Sequence, residues 1–397
     1  MDFEYRIENN EAVITRCGIF DKNTVEVPEQ IGEYPVVGLD ERSFSCITTI
    51  KKIVLPKTIR RIGDKAFYWC SALEELEIQS CESIGKNCFS KTKLKNIHIP
   101  HNTSCIDVSA FLDIPTLQNI TVDDYNEFFS TEDGVLYNKD KSVLRFCPQG
   151  KTNCITVNTN CVSISSYAFY NSSVKQVNFN NKLEMIFTEA FRGCAMENMM
   201  LPPHLTYIGD GAFYGAEKIT DIFIPSSVTE VGKEAFKFCV NAETVYIGTG
   251  VSELKQRTFE KCFKLKTVNM QTVEKIGSYC FNDCFRMTDI DLSNVKSIGY
   301  SAFLRNESLL EVDLSMCDTV LARAFKRCYN LKSVVLCKKL YEVRSEVFSA
   351  CFELENINAE KVMSVGKQSF YGVDSDKLNF GNDTYFEQTY KNKSKVS

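Results

Sequence analysis

A phenylalanine returns every 22 or 23 residues along most of this chain. It stands at Phe44, Phe67, Phe89 and Phe111, and again from Phe169 through Phe191, Phe213, Phe236, Phe259, Phe281, Phe303, Phe325, Phe348 and Phe370. Five residues before each lies an aliphatic residue, from Leu39, Ile62 and Ile84 to Val343 and Val365, so two anchors hold one register through fourteen units. A unit this short has room for one strand, one turn and at most a short helical segment; it cannot bury its apolar side alone and must stack on its neighbours. The pattern predicts a solenoid, and it overrides the two or three globular domains that 397 residues would otherwise suggest. One elongated domain is expected.

The stretch IKKIVLPKTIRRIGDKAFYWCSA, Ile50 to Ala72, serves as the type unit. Ile50, Ile53 and Leu55 point inward at the end of a short strand, and Pro56 stops it because proline lacks the amide that a further ladder bond needs. Ile59 and Ile62 begin a second extended stretch, Gly63 allows a turn, and DKAFYWC is expected as a tight helical or 3₁₀ segment that drops Ala66 and Phe67 into the core. Seven of the eighteen cysteines (Cys70, Cys194, Cys239, Cys262, Cys284, Cys328, Cys351) fall three residues after the repeat Phe. They fill one repeat position, which predicts an interior ladder of small buried thiols, mostly reduced, and not a disulfide framework.

Two places break the rhythm. Between Phe111 and Phe169 the spacing jumps to 58, and the excess holds DGVLYNKDKSVLRFCP, which predicts a β-hairpin insertion near residues 132–148 with Val135, Tyr137, Leu144 and Phe146 on one face. The start, FEYRIENNEAVITRC, predicts a second hairpin that caps the first coil. The expected organisation is a cap over 1–24, a solenoid over 25–380 and a polar tail over 381–397.

The unit grammar h-x-x-h-x-[IL]-P-x-x-[VIL]-x-x-I-G-x-x-A-F-x-x-C, carried by IGDKAF, IGDGAF, VGKEAF and IGYSAF, resembles the BspA-like leucine-rich repeat family over about residues 25 to 380. Most coils beyond residue 226 lack the Pro, and IDVSAF, ISSYAF, IFTEAF, LKQRTF and VLARAF lack the Gly, so some turns must be shaped differently. The resemblance implies an α/β repeat solenoid, largely β: a right-handed leucine-rich-repeat superhelix with short parallel strands on its concave face and 3₁₀ or short helical turns. It implies protein contact, often in surface or adhesive roles, and no chemistry.

Composition excludes several alternatives. A formal net charge of −5 argues against a nucleic-acid surface, which needs a basic face. MDFEYRIENN has neither the basic segment nor the apolar core of an export signal, and no run of about 18 apolar residues predicts a transmembrane segment. Only three histidines exist, His98, His101 and His204, and no C-x-x-C, G-x-G-x-x-G, Walker-type or H-E-x-x-H motif occurs. No enzyme activity, cofactor or metal is expected.

On a strand that lines the wall, the residue between the last two inward positions faces solvent. That column includes Val54, Glu77 and His98 early and Met200, Phe223 and Tyr246 later. Folding does not require large apolar residues there, so these three are the candidate partner-binding residues. Asp289 and Asp291 on one strand are expected to face Glu311 and Asp313 on the next at about 5 Å, an arrangement that solvent, a cation or a basic partner would relieve. The expected function is a non-enzymatic, monomeric protein-binding module of surface-adhesin type; an intracellular scaffold and, less favoured, a carbohydrate-binding protein are the alternatives.

Overall fold

The computed structural model describes residues 3–18 and 22–387. Packing divides the chain into two compact units, Met1–Ala195 and Met196–Ser397. Each is a β-solenoid of stacked coils. Among the described residues the only helical element is a 3₁₀ turn at Ser375–Lys377, and no helix is long and apolar enough to cross a membrane.

Each regular coil contributes two strand positions to parallel ladders. In the first unit Lys52–Leu55 pairs in register with Glu75–Ile78, with Ile53 and Leu55 buried and Pro56 directly after the strand. Arg61–Ile62 pairs with Ser83–Ile84. In the second unit Asp221–Ile224, Thr244–Ile247 and Thr267–Asn269 form one ladder, and Glu253–Leu254, Lys275–Ile276, Ser297–Ile298 and Thr319–Val320 form the other. Between the ladders runs the phenylalanine column. Phe213 and Phe236 stack at 5.2 Å and 2°, Phe303 and Phe325 at 5.1 Å and 3°, an offset-parallel geometry that adds a specific attraction to the burial of each ring.

The segment around each Phe is a run of turns, not the short helix expected. The reason lies in how its amides are shared. Around Phe236, the N–H groups of Glu234, Phe236 and Phe238 donate to Gln256, Thr258 and Glu260 of the next coil. The intervening Lys237 and Cys239 donate back to Glu234 and Phe236 within the coil. A helix would need every amide for its own i−4 carbonyl, so alternate commitment to the neighbouring coil forbids one. The chain achieves the alternation by placing the residues two before and two after the Phe in the left-handed region: Lys65 and Trp69 (φ 56° and 59°) around Phe67, Glu234 and Phe238 (57° and 61°) around Phe236.

The glycine of the I-G-x-x-A-F core has a different role from the one expected. Gly63 and Gly277 are not in the left-handed region; a Cβ on them would lie 2.7 and 2.6 Å from backbone of the preceding coil. These glycines permit close coil approach, not a turn.

At the insertion, Val135–Asn138 and Val143–Phe146 form an antiparallel hairpin, and Phe129–Glu132 pairs with the first of these strands. The second strand joins the parallel ladder, Leu144 opposite Ile164, and delivers the Phe146 ring 5.4 Å from Phe111. The hairpin therefore supplies a ring to the column instead of interrupting it. Buried Gln149 bridges the irregular spacing, accepting from the Ile114 amide at 2.6 Å and donating to the Tyr170 carbonyl at 2.9 Å.

At the start, Phe3–Glu8 pairs antiparallel with Glu11–Cys17, which in turn pairs with Tyr34–Leu39, and the Phe3 ring lies 6.0 Å from Phe44. At the other end Tyr385–Phe386 forms one more parallel strand on Ser364–Val365. The segment expected as a tail from Gly381 thus begins with ordered sheet, because Phe380 packs edge-on against Phe370 at 5.3 Å and anchors it. Residues 388–397, the rest of that segment, lie outside the described residues.

Candidate partner-binding wall

In each unit the outward positions of the first strand ladder form a wall, and its chemistry differs between the two units. In the first unit it is mostly polar: His98 Nδ1 lies 3.0 Å from Thr121 Oγ1, Asn119 donates to Asn96 at 3.3 Å, and Asn178 donates to Thr156 at 3.4 Å. Side chains there satisfy one another across coils.

The second unit is different. Met200, Phe223 and Tyr246 are 83%, 59% and 50% exposed. Phe223 and Tyr246 sit directly opposite each other in the parallel register because inward Ile222, Ile224, Val245 and Ile247 are locked in the core on either side of them. Their rings lie 5.5 Å apart at 34°. The contact stabilises the ladder to some degree, yet about half of each ring remains open to solvent.

Two of the four acids, Asp289 and Asp291, are not on the strand expected for them. Glu311 and Asp313 are on the strand Glu311–Leu314, whose neighbour is Ser333–Leu336. Residues 289–292 form no strand, so no ladder sets Asp289 and Asp291 opposite Glu311 and Asp313. Two of the carboxylates are instead used locally. Asp291 accepts from the Ser293 amide at 2.9 Å and Asp313 from the Ser315 amide at 2.8 Å, turns in which an aspartate caps its own chain two residues on. The Ser293 hydroxyl and amide together hold the Asp291 carboxyl below its ordinary pKa. All four acids are exposed. Among the described residues no group of three or more His, Cys, Asp or Glu side chains is arranged to hold a metal ion.

Asp221 belongs to this wall and was not singled out by sequence. It points the same way as Phe223, two residues away on one strand, and its carboxylate accepts from the hydroxyls of Thr220, at 2.9 Å, and Thr244. The period-2 alternation of the strand could have found it: a second outward column runs two residues before the first. From Asn198 to Asn358 neither column contains Lys or Arg, while they contain Asp221, Asp289, Asp291, Glu311 and Asp313.

A family model described as the BspA type leucine rich repeat region matches six copies, over residues 25–141, 145–266 and 255–389. Among solved structures the chain is similar to the pneumococcal vaccine antigen PcpA, at 17% identity and TM-score 0.54, covering 98% of this chain and 97% of that one. It is also similar to a leucine-rich repeat protein from Bacteroides ovatus ATCC 8483, at 19% identity and TM-score 0.51, covering 98% of each. A leucine-rich cell surface protein from Faecalibacterium prausnitzii A2-165 matches at 20% identity and TM-score 0.48, over 89% of this chain and 92% of that one. The first two likenesses show a common fold. No curated protein sequence matches the chain.

Proposed function

The chain belongs to the BspA-type leucine-rich repeat family, and from that premise we propose that it is a non-enzymatic protein-binding module of surface-adhesin type that captures its partner on the strand wall of the second unit. The observation that carries this reading is the exposure of Met200, Phe223 and Tyr246 in successive coils of a wall whose other outward members are mostly polar, Val335 being the exception in the second unit. Phe223 and Tyr246 stand on paired strands, while Met200 lies outside any strand two residues after the bridge at Asn198; large apolar side chains left in water in neighbouring coils mark partner contact, and aromatic anchors concentrate binding energy. The acids Asp221, Asp289, Asp291, Glu311 and Asp313 surround no basic residue of their own wall, so the partner supplies the positive charge. Its chemistry is an apolar or aromatic anchor with Lys or Arg at the rim.

Panning a displayed random-peptide library against the whole protein tests this. Enriched peptides should pair an aromatic or aliphatic anchor with basic residues, and the Phe223→Ser, Tyr246→Ser double variant should lose their capture while staying folded, its unfolding midpoint lowered only by the loss of one cross-strand ring contact. Enrichment of uncharged or acidic peptides, or capture that survives both substitutions, would sink the assignment.

A second reading, an intracellular scaffold, is favoured by the thiols. All eighteen cysteines are free, and Cys46, Cys105 and Cys154 are exposed, a pattern that suits a reducing compartment. Cell fractionation with thiol titration separates the two: protein confined to cytosol removes the adhesin reading.

A further inference from the structure

We propose that the turn edge of the second unit carries a small-molecule site for an acidic sugar, a pyranose bearing a carboxylate. The residue two after each repeat Phe projects from this edge, and its size varies between coils: it is large at Trp69, Lys91, Phe238, Lys261, Arg305 and Arg327, and small at Gly193 and Gly215 and again, in two successive coils near the end, at Ala350 and Gly372. Beside them is a cleft of about 580 Å³, within the size range of small-ligand sites.

Its lining is built for one kind of ligand. The rings of Tyr329 and Phe352 are parallel, 5.6 Å apart at 5°, and present apolar surface. Phe352 keeps its position only because residue 372 is glycine, where a Cβ would come within 2.7 Å of the ring. Ser349, Gln368 and Tyr371 add neutral polar groups suited to hydroxyls. Lys326 and Arg327 line the cleft and no carboxylate does, in a chain whose net charge is −5. Lys326 is paired with Glu346. Arg327 has no ion pair or side-chain hydrogen bond among the described residues, so its guanidinium fork is available to hold a carboxylate with two parallel bonds. Hydroxyl partners, apolar ring surface and one unspent guanidinium together describe a sugar acid better than a bare anion or a neutral sugar.

The test uses the full chain with D-glucuronate, N-acetylneuraminate, glucose, benzoate and inorganic phosphate, read by saturation-transfer NMR and calorimetry. Both sugar acids should bind saturably, with glucose weaker by about tenfold or more, since it forfeits a charge-assisted pair. Arg327→Gln should weaken the sugar acids to the level of glucose. Ala350→Phe should abolish binding and leave the unfolding midpoint in place, because Phe238 already occupies the equivalent position at the same φ of 61° as Ala350. Absence of saturable binding, glucose binding as well as glucuronate, or binding that survives Ala350→Phe would each overturn the proposal. Benzoate or phosphate binding as tightly as the sugar acids, with the same dependence on Arg327, would overturn it in favour of a plain oxyanion site. A glycan-terminal source is distinguished from free monosaccharide by repeating the titration with sialyllactose, which supports the proposal if it competes with N-acetylneuraminate.

Discussion

The thiol of Cys262 donates to the backbone carbonyl of Phe236, one coil earlier, at 3.3 Å. The same bond runs from Cys239 to Phe213, from Cys284 to Phe259, from Cys328 to Phe303 and from Cys351 to Phe325. Between Phe236 and Phe348 the one coil without a cysteine at this position has Asn306, which donates its amide to the Phe281 carbonyl at 2.8 Å. In these coils the position is sealed from water and faces an acceptor, which suits a side chain that tolerates burial and can still donate; elsewhere Ile114 and Ala216 fill it with apolar atoms alone.

Cys262→Ala should therefore destabilise the fold by about 1 kcal/mol, the lower end of the range for a lost buried partner, since the Phe236 carbonyl keeps its bond from the Cys239 amide. Cys262→Ser, which retains a donor, should fall closer to wild type. Urea denaturation of the three proteins checks this, and equal losses in Ala and Ser would mean that the thiol merely fills space.

Native-state alkylation should divide the cysteines sharply. Burial pushes Cys280 and Cys351 up to about 12 and raises Cys262, Cys284 and Cys328 well above the ordinary thiol value. The thiolate is the reactive form, so at pH 8 iodoacetamide should modify the exposed Cys46, Cys105 and Cys154 and leave the ladder untouched until the chain unfolds. Peptide mass spectrometry after brief labelling reads the outcome.

Two glycine exchanges should have opposite signs. Lys65 occupies a left-handed conformation at φ 56°, which an L side chain adopts at a penalty of about 1–2 kcal/mol, while glycine adds about 0.5–1 kcal/mol of chain entropy to the unfolded state. Lys65→Gly should thus stabilise by about 0.5 kcal/mol. Gly63→Ala should destabilise, because the new methyl meets the Asp40 backbone at 2.7 Å and the coils must separate. Thermal denaturation of both variants decides it.

The acid limb of stability should carry two opposed contributions. Burial alone would raise the Glu346 pKa, but hydrogen bonds from Lys326 and Arg323, the latter through Nε at 2.8 Å, outweigh it and hold the carboxyl below its ordinary value. A depressed folded pKa contributes stability that is present above the unfolded value of about 4.3 and is lost as pH falls through the folded one. Asp283 is the reverse: burial raises it, and the pull of Arg305 and Lys261 does not compensate fully. Its charged form is a penalty at neutral pH that fades as acid is added. Glu346→Gln should flatten the fall in stability below about pH 5, and Asp283→Asn should steepen it. Denaturation midpoints measured from pH 7 to 3 would show whether the two slopes move apart.

The Phe and aliphatic anchors made the coil register legible from sequence, since apolar side chains spaced one coil apart have only one way to be buried together. The exposure of Phe223 and Tyr246 was legible for the same reason: strand alternation places every second residue outside once Ile222 and Ile224 are inside; Met200 is exposed as well, but in a coil that forms no strand there. The turn conformation around each Phe was not. GDKAFYWC has no glycine or asparagine at its left-handed positions, and local preference alone points to a helix; only the next coil's carbonyls, 22 residues away, draw alternate amides outward. The lack of a strand at Asp289 and Asp291 was not legible either: none forms over 289–292, where Asp291 is held by its own Ser293. Likewise, the cleft beside Ala350 exists because side chains from three coils meet there.

By itself, then, the order of residues determined what is inside and what is repeated, because burial depends on side-chain type and period. Tertiary structure alone decided how each backbone amide is shared between coils, how closely the coils approach and which surface groups are left unpaired. Those depend on partners that are distant in the chain and become neighbours only when the coils stack.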